Sequence, residues 1–395
     1  MQDLLFKDLL VVDCASFIAG PAAATMLADF GARVIKVEPP NGDGYRMLPY
    51  LPGLPKCDLN YPWRHTNRSK EGLSLDLKQE DQRQVLETLL RKADVFITNY
   101  PLGVRRKLGL TYDDIAAINP RLIYGSLTPY GEEGPEADHT GYDATAWWAR
   151  SGLMDAVRAS GDTRPAISMP GMGDYMSAAS LYGAIVTALY RRQQTGEGSH
   201  VGSSLMGNGL WSNAICVQAA LDGGDTSKHL DSDKVSAFTQ VYRCRDERWL
   251  ILTVLPQVQE KVWPVLAACL GHPEWIEDSR FLTADSRRQN NPALVAEIQS
   301  AFGSRDWNEW QTRLGEAGIT CGRVAKHADH QFDEQANAAH HLATFADDAE
   351  RKTVDSPMFV RGLAKRQPQP PPGIGEHNAR ILAELGIDHP FTQAE

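Results

Sequence analysis

Short apolar runs alternate with helical periodicity through the first two hundred residues. The strand-like runs are residues 9–13, 33–38, 73–77, 95–98 and 122–127. Between them, apolar positions recur at helical spacing over residues 22–30, 81–92 and 112–118. Strands that alternate with helices in this way are typical of a parallel sheet covered by helices on both faces. The pattern therefore predicts an α/β fold with a doubly wound parallel sheet.

The pattern changes after residue 215. Residues 219–233 are polar and rich in Gly and Asp, which indicates a linker. Two apolar runs follow, at 241–244 and 249–254, and the polar segment between them predicts a hairpin. Further helices are predicted at residues 260–270, 292–302 and 307–314.

The end of the chain carries a stiff connector and a last helix. Residues 367–373 (QPQPPPG) are rich in proline and predict an extended segment. A helix is predicted at 378–385, ended by Gly386. We therefore expect a large domain over residues 1–215, an inserted smaller α+β domain over 216–330, and a return to the large domain over 331–395.

Composition and charge narrow the classes of function. A chain of 395 residues suits two domains. Its formal net charge of −10 argues against nucleic acid as a main partner, although a local basic patch still permits an anionic ligand. No apolar run reaches about 18 residues, so no membrane span is predicted. The N-terminal residues lack the zones of a signal peptide.

The six cysteines are scattered and form no C-x-x-C pair. Neither a disulfide framework nor a zinc site is predicted, and a reducing cytoplasm is the expected location. The histidines form no H-E-x-x-H frame, and we predict no metal site.

Asp174 follows the run 170–173 (PGMG) and precedes a long apolar helix pattern at 177–190. A carboxylate that caps a helix accepts backbone N–H groups and is stabilised by the positive helix end. Asp174 is therefore expected to stay ionised, as a carboxylate nucleophile requires. The flanking glycines leave room for a substrate. Aspartate is also a common structural cap, and that alternative stays open at this point.

Nucleotide-binding motifs are missing. Glu38 stands at a plausible distance for a ribose contact, but the turn at 17–21 (FIAGP) has one glycine where G-x-G-x-x-G needs three. Pro21 also removes an N–H donor. There is no P-loop and no G-x-S-x-G elbow. A nicotinamide cofactor is therefore disfavoured.

Cations are frequent near the predicted strand ends of this half. They are Arg46, Arg64, Arg68, Lys70, Lys78, Arg105, Arg106 and Lys107. Open α/β sheets bind ligands at the carboxyl ends of their strands. Because Phe17, Tyr100 and Tyr130 occur at the same ends, the expected ligand is a polyanion with an apolar part.

The sequence resembles the family III CoA-transferases, the formyl-CoA and crotonobetainyl-CoA transferase group, from about Leu9 to Leu205. The matching runs are 19–21 (AGP), 29–40 (DFGARVIKVEPP), 75–78 (LDLK), 93–100 (ADVFITNY), 108–110 (LGL), 118–124 (INPRLIY), 141–143 (GYD), 173–174 (GD), 195–198 (TGEG) and, in the tail, 375–378 (GEHN). Single runs of this length are weak signals, but their common order and spacing are specific.

The resemblance implies roles for individual residues. Asp174 falls at the position of the nucleophilic aspartate. The other implied roles concern coenzyme A: backbone contact at Ile18, the adenine side at Leu75 and Lys78, the pantetheine or adenine at Asn99 and Tyr100, phosphate at Lys107, and the thioester at Tyr130. No permanently bound cofactor is implied, since CoA thioesters are substrates.

The resemblance also implies a homodimer of two ring-shaped subunits threaded through each other.

The chain departs from the family pattern at three points. Pro39 and Thr128 stand where some members carry Arg and Lys, and the Gly-rich lid loop has no counterpart between residues 231 and 241. Phosphate binding and shielding of the intermediate are therefore expected to differ.

The implied activity is CoA transfer from an acyl-CoA to a small carboxylic acid, through an aspartyl anhydride and an aspartyl-CoA thioester. Two alternatives remain. The α-methylacyl-CoA racemases share the scaffold but use a His in a Gly-His-Asp run, where this chain has Tyr142, a poor base with an ordinary pKa of about 10. A non-catalytic CoA-binding protein would be marked by loss of the nucleophile.

The segment Trp147–Gly152 follows the GYD run and borders the expected acyl pocket. Arg150 there would suit the second carboxylate of a dicarboxylic acid such as succinate or itaconate. The simpler interpretation places Trp147 and Trp148 in the core and Arg150 at the surface, and we favour it.

Overall fold

The computed structural model describes residues 4–158, 163–226 and 235–387. The strands are β1 (Leu10–Cys14), β2 (Arg33–Glu38), β3 (Glu71–Ser74), β4 (Val95–Thr98), β5 (Ile123–Thr128), β6 (Ser199–Ser204), β7 (Thr239–Arg243), β8 (Trp249–Thr253), β9 (Cys321–Arg323), β10 (Leu342–Thr344) and β11 (Lys352–Val354).

The α-helices are α1 (Ala19–Asp29), α2 (Tyr61–Thr66), α3 (Glu80–Leu90), α4 (Leu102–Leu108), α5 (Tyr112–Ile118), α6 (Leu153–Ala156), α7 (Met172–Thr195), α8 (Leu205–Ser212), α9 (Ala214–Leu221), α10 (Gln259–Leu270), α11 (Ala284–Gln289), α12 (Asn291–Phe302), α13 (Trp307–Glu316), α14 (Glu334–Ala338) and α15 (Asn378–Leu385). Short 3₁₀ turns occupy Gly44–Tyr50, Pro256–Val258, Pro273–Ile276 and His327–Phe332, and a π-helix occupies Asp143–Ala149.

The described residues form two compact units. The first comprises those within 4–157, 165–224 and 334–387, and the second those within 158–164 and 225–333. In the first unit, six strands form one sheet in the order β3-β2-β1-β4-β5-β6, and every neighbouring pair is parallel. The predicted parallel sheet is therefore confirmed.

Side chains alternate between the two faces of this sheet. Val11 and Val95 join one core with α1 and α7, whereas the next residues, Val12 and Phe96, join a second core with α3, α5 and α15. This alternation follows from the two-residue period of a strand. Helices therefore cover both faces, as the sequence predicted.

Helix α1 is buried along its whole length. Its residues are mostly small, and a side chain added at Gly20 would place a Cβ atom 2.5 Å from that of Ala15. Pro21 lies in the first turn, where a missing N–H costs nothing. The run of small residues thus lets α1 lie close against the sheet.

The sequence missed or misplaced several elements. Strand β6 was not predicted, because SHVGSS has no apolar alternation. Strand β3 lies at Glu71–Ser74 rather than at residues 73–77. Helix α7 spans 24 residues and begins five residues before the predicted start. Helix α9 occupies the beginning of the predicted linker, and residues 227–234 of that linker lie outside the described part.

The proline-rich connector is held by the first unit. The carbonyl of Pro372 accepts hydrogen bonds from Arg46 at 3.1 Å and from the Trp63 indole at 3.2 Å. Ser69 and Gln369 exchange two more bonds. The second unit has its own core, which is built on the antiparallel sheet β7-β8-β9 and helices α10, α12 and α13. The predicted hairpin is β7 and β8.

Lys70 is fully buried, and its ammonium group has four acceptors. They are Asp13 Oδ2 at 2.8 Å, Pro21 O at 2.7 Å, Thr66 O at 2.9 Å and Asn67 Oδ1 at 3.0 Å. Removing a buried cation leaves its acceptors without a partner. Lys70 therefore joins β1, α1 and α2 through one group.

We predict that Lys70→Met lowers the free energy of unfolding by about 3–5 kcal/mol, because the buried Asp13 carboxylate loses its nearest cation. Lys92→Met is the matched control: Lys92 is exposed, and a change within about 0.5 kcal/mol is expected. Urea unfolding of both variants measures the difference. Equal stability of the two variants would contradict the prediction.

Candidate active site

A cavity of about 360 Å³ opens at the carboxyl ends of the parallel strands. The loop after each of four strands contributes to its wall, β1 through Phe17 and Ile18, β4 through Asn99, β5 through Pro129 and β6 through Leu205. Strands β1 and β4 are neighbours in the sheet, whereas β2 and β3, which come between them in sequence, lie on the other side of β1. Such a reversal point is where open α/β sheets bind ligands.

The turn after β1 is fixed by hydrogen bonds to neighbouring elements. The Asn99 amide accepts from Ser16 N at 2.8 Å and donates to Ser16 O at 2.7 Å. Phe17 has a φ of 62°, a left-handed conformation that is rare for a residue of its size. Its N–H donates to Asp43 Oδ1 at 3.3 Å. The strained turn therefore depends on side chains from two other loops.

Beneath this turn lies a buried network of alternating charges. The Lys36 ammonium donates to the Ala15 carbonyl and lies 3.1 Å from Asp43 and 4.0 Å from Asp13. Asp13 also pairs with Lys70. The carboxylates raise the pKa of Lys36 despite the opposing effect of burial, which is the larger single influence. The charges therefore hold the β1 turn from below.

Asp174 lies in the first turn of α7 and lines the cavity. The N-cap is Gly171, with a φ of 88°, so the expectation that Asp174 itself caps the helix is wrong. The N–H of Gly171 donates to Asp143 Oδ2 at 2.7 Å. Asp143 thereby fixes the start of α7 and the position of Asp174.

Gly173, the second glycine of the segment 170–173 (PGMG), is required by close packing. A Cβ atom at Gly173 would lie 2.4 Å from the ring of Trp147. Trp147 and Trp148 are buried and stack at 5.8 Å between ring centroids, so the core interpretation of both is confirmed. The tryptophans thus form a rigid wall against which the first turn of α7 rests.

The Asp174 carboxyl is partly buried and has no hydrogen bond from any described residue. Burial, and then the nearby Asp143 carboxylate, raise its pKa to about 7. This upward shift of the pKa runs against the sequence-based expectation that the Asp174 carboxylate stays ionised. The first-turn position favours the anion, but desolvation acts in the opposite direction. An anion so poorly solvated is a stronger nucleophile than a hydrogen-bonded one.

The structure gathers some of the residues named from the sequence and separates others. Ile18, Asn99, Tyr100 and Asp174 line the cavity together. The other four residues that were predicted to bind coenzyme A are not among the described lining residues of the cavity. Leu75 is buried in the core, Lys78 and Lys107 are exposed, and Tyr130 is half-buried. The side chain of Leu75 packs under the sheet, and its place on the adenine side of coenzyme A stays a prediction.

Several cations that were predicted to bind a ligand form ion pairs with carboxylates of the protein instead. Arg68 pairs with Asp29 through two bonds of 2.7 and 3.0 Å, and Arg105 pairs with Glu132 at 2.9 Å. Both side chains are buried, as is that of Lys70. Glu38, considered for a ribose contact, is buried and pairs with Arg46 at 2.7 Å. The expectation that these cations face a polyanion is wrong.

Asp143 is the main residue whose role the sequence did not reveal. It belongs to a recognised run, but its bond to Gly171 joins residues 28 positions apart. His139 and Thr140 also line the cavity, and no sequence motif marked either of them as a site residue. Within the described ranges, no helix has the length and apolarity to cross a bilayer, and no cluster of potential metal ligands occurs.

Comparison with known proteins identifies relatives of the whole chain. The chain is 32% identical to (R)-2-hydroxy-4-methylpentanoate CoA-transferase from Clostridioides difficile over 98% of this chain and 96% of the relative. It is 32% identical to acetyl-CoA:oxalate CoA-transferase from Acetobacter aceti, over 80% of each. A crystal structure of a CAIB/BAIF family protein from Brucella suis matches with a TM-score of 0.86 and 29% identity, over 97% of this chain and 100% of that one.

The sequence model of CoA-transferase family III matches residues 6–378. The match includes every strand of the parallel sheet, the cavity at their carboxyl ends and the first turn of α7. The chain belongs to CoA-transferase family III.

Proposed function

We propose that this CoA-transferase moves CoA from an acyl-CoA to a carboxylic acid with Asp174 as the nucleophile. The observation that carries the proposal is the Asp174 carboxyl, which lines an apolar cavity with no hydrogen bond from a described residue. A carboxylate left in this state has no structural task. Its raised pKa is typical of a functional group held in a desolvated site.

The reaction begins when an Asp174 carboxylate oxygen attacks the thioester carbonyl carbon. The C–S bond breaks, CoA leaves as thiolate, and a mixed anhydride forms. The thiolate then attacks the aspartyl carbonyl carbon, which releases the donor carboxylate and leaves an aspartyl-CoA thioester. An acceptor carboxylate reverses both steps and regenerates Asp174. No net proton transfer is needed, and a covalent route divides one difficult exchange into easier ones.

Each attack produces an oxyanion that needs donors. The N–H groups in the first turn of a helix have no partner within the helix. Asp174 itself lies in that turn of α7, so these N–H groups are close to its carboxyl carbon. We propose that they stabilise the oxyanion.

CoA is proposed to lie along the β1 and β4 loops, against Ile18, Asn99 and Tyr100. The ammonium groups of Lys78 and Lys107 are exposed and have no ion pair with a described residue, which leaves them available to phosphates. Leu75 offers its backbone, and Tyr130 flanks the lining residue Pro129 near the thioester. CoA thioesters are substrates in this proposal and no resident cofactor takes part. The cytoplasm is the proposed location.

The structure gives the racemase alternative little support. Tyr142 is 64% exposed. The neighbouring Asp143 accepts the N–H groups of Gly171 and Ala144, each at 2.7 Å, so its carboxylate is engaged in structure. Deuterium wash-in at the α-carbon of an acyl-CoA, without exchange of CoA between acids, would favour the racemase.

Replacing the nucleophile tests the proposal directly. Asp174→Asn and Asp174→Ala are expected to lose CoA exchange by about a thousandfold or more while still binding CoA. Hydroxylamine added during turnover is expected to convert residue 174 of the wild type into a hydroxamate, located by peptide mass spectrometry. Asp113→Asn, at an exposed carboxylate outside the cavity lining, is the matched control and should keep this label. Labelling of another residue, or of none, would refute the mechanism.

The pH dependence follows from the raised pKa of Asp174. The carboxylate attacks only when ionised, so kcat/KM is expected to fall about tenfold per pH unit below about pH 7 and to level off above it. Asp143→Asn removes the like charge and should move this acid limb to lower pH. Initial rates between pH 5.5 and 8.5 measure both. A flat profile over that range would contradict the assignment.

We propose further that two chains form an interlocked homodimer. Large apolar side chains on α8 and α9 are exposed, with Trp211 at 81%, Ile215 at 89% and Leu221 at 75%. Patches of this kind mark protein–protein contacts. Their exposure supports a dimer, and the family resemblance suggests the interlocking.

Interlocked rings cannot separate without unfolding. Light scattering is expected to give twice the chain mass of 43.6 kDa. Tagged and untagged dimers mixed in native buffer should form no mixed dimers over days, whereas unfolding and refolding them together should produce mixed dimers. Exchange without unfolding would exclude the interlocked arrangement, and a mass of one chain would exclude the dimer.

A further inference from the structure

The walls of the cavity are apolar over most of their area. They are built from Phe17, Ile18, Leu48, Leu102, Leu127 and Leu205. No lysine or arginine occurs among the described lining residues. The lining carboxylates are Asp143 and Asp174; burial, and in second place the Asp143 carboxylate, raise the pKa of Asp174. Negative charge is thus already in excess inside the cavity.

The guanidinium of Arg150, which lies outside the cavity lining, forms an ion pair at the surface. Arg150 donates to both Glu136 oxygens at 3.0 Å, and its guanidinium lies 5.5 Å from the ring centroid of Tyr130. His139 also lines the cavity, and its side chain is exposed. The Arg150 guanidinium therefore faces the Glu136 carboxylate and is not part of the cavity lining.

The acyl group must lie close to Asp174, because the mixed anhydride joins the two covalently. The remainder of the acid then shares this mainly apolar cavity with the end of CoA. A charge in such surroundings without a counter-charge costs several kcal/mol, and a like charge nearby adds to that cost. An uncharged apolar group in the same place gains free energy by leaving water.

We propose that the substrates of this enzyme are acids with a single carboxylate and an uncharged, mainly apolar remainder, and that dicarboxylates are excluded. The inference rests on the proposed function, since it assumes that the acid reacts at Asp174. It goes further by assigning the substrate class of the site.

Three acids with the same skeleton of eight heavy atoms isolate the charge. In 4-methylpentanoate the far carbon carries two methyl groups, in 4-oxopentanoate a methyl and an oxygen, and in succinate two oxygens that share a negative charge. Each is assayed as acceptor with acetyl-CoA at pH 8, where Asp174 is ionised. We expect a modest fall in kcat/KM from the first acid to the second, and a fall of about 100-fold or more to succinate.

Arg150→Met is the matched variant. Because Glu136 holds the guanidinium, the variant is expected to change the rates with 4-methylpentanoate and succinate by the same factor. A selective loss with succinate would assign Arg150 to a substrate carboxylate and overturn the proposal. So would wild-type kcat/KM for succinate within tenfold of that for 4-methylpentanoate.

The hydroxylamine label separates this inference from the function on which it rests. If acetyl-CoA labels Asp174 but none of the three acids accepts CoA, the substrate class is wrong and the nucleophile stands. If Asp174 is never labelled and no acid exchanges, the proposed function falls with it.

Discussion

The site depends on the buried ammonium groups of Lys36 and Lys70 at the carboxyl ends of β1 and β2. Each bridges Asp13 to backbone carbonyls of neighbouring segments. Lys36 reaches the carbonyl of Ala15, and Lys70 reaches those of Pro21 and Thr66, which also accept the Thr25 hydroxyl. Unpaired backbone carbonyls are costly to bury. The two lysines therefore make it possible to bury the turn that carries Phe17 and Ile18, and this turn forms one wall of the cavity.

Charge is distributed differently below the β1 turn and in the cavity above it. Below the β1 turn, cations and carboxylates alternate and balance. In the cavity above, Asp143 and Asp174 lie among apolar walls without a paired cation. Asp143 is stabilised by two backbone N–H groups, whereas Asp174 has none from the described residues. The contrast explains how two nearby carboxylates come to have different tasks, one in holding the backbone and one in chemistry.

Local patterns predicted the elements that bury a regular apolar face. Strands β2 and β4 and helices α5 and α15 were predicted at their observed bounds. Strand β6 was not predicted because it is stabilised by pairing with β5 along six residues rather than by apolar side chains. The order and spacing of short motifs predicted a functional role for Asp174. Its pKa, however, depends on burial and then on Asp143, and neither can be derived from the neighbouring sequence. Buried cations were misassigned because a lysine such as Lys70 is usually solvated.

The contact between Gly173 and Trp147 restricts how this enzyme can change. No side chain fits at residue 173 unless the indole moves, and the indole is stacked within the core. The first turn of α7, which carries the reacting carboxyl, is thus held sterically, whereas lining residues such as Leu48 and Leu102 are only half-buried. New acid preferences can therefore evolve through wall substitutions that leave the nucleophile where it is, which would allow one scaffold to diversify without rebuilding its chemistry.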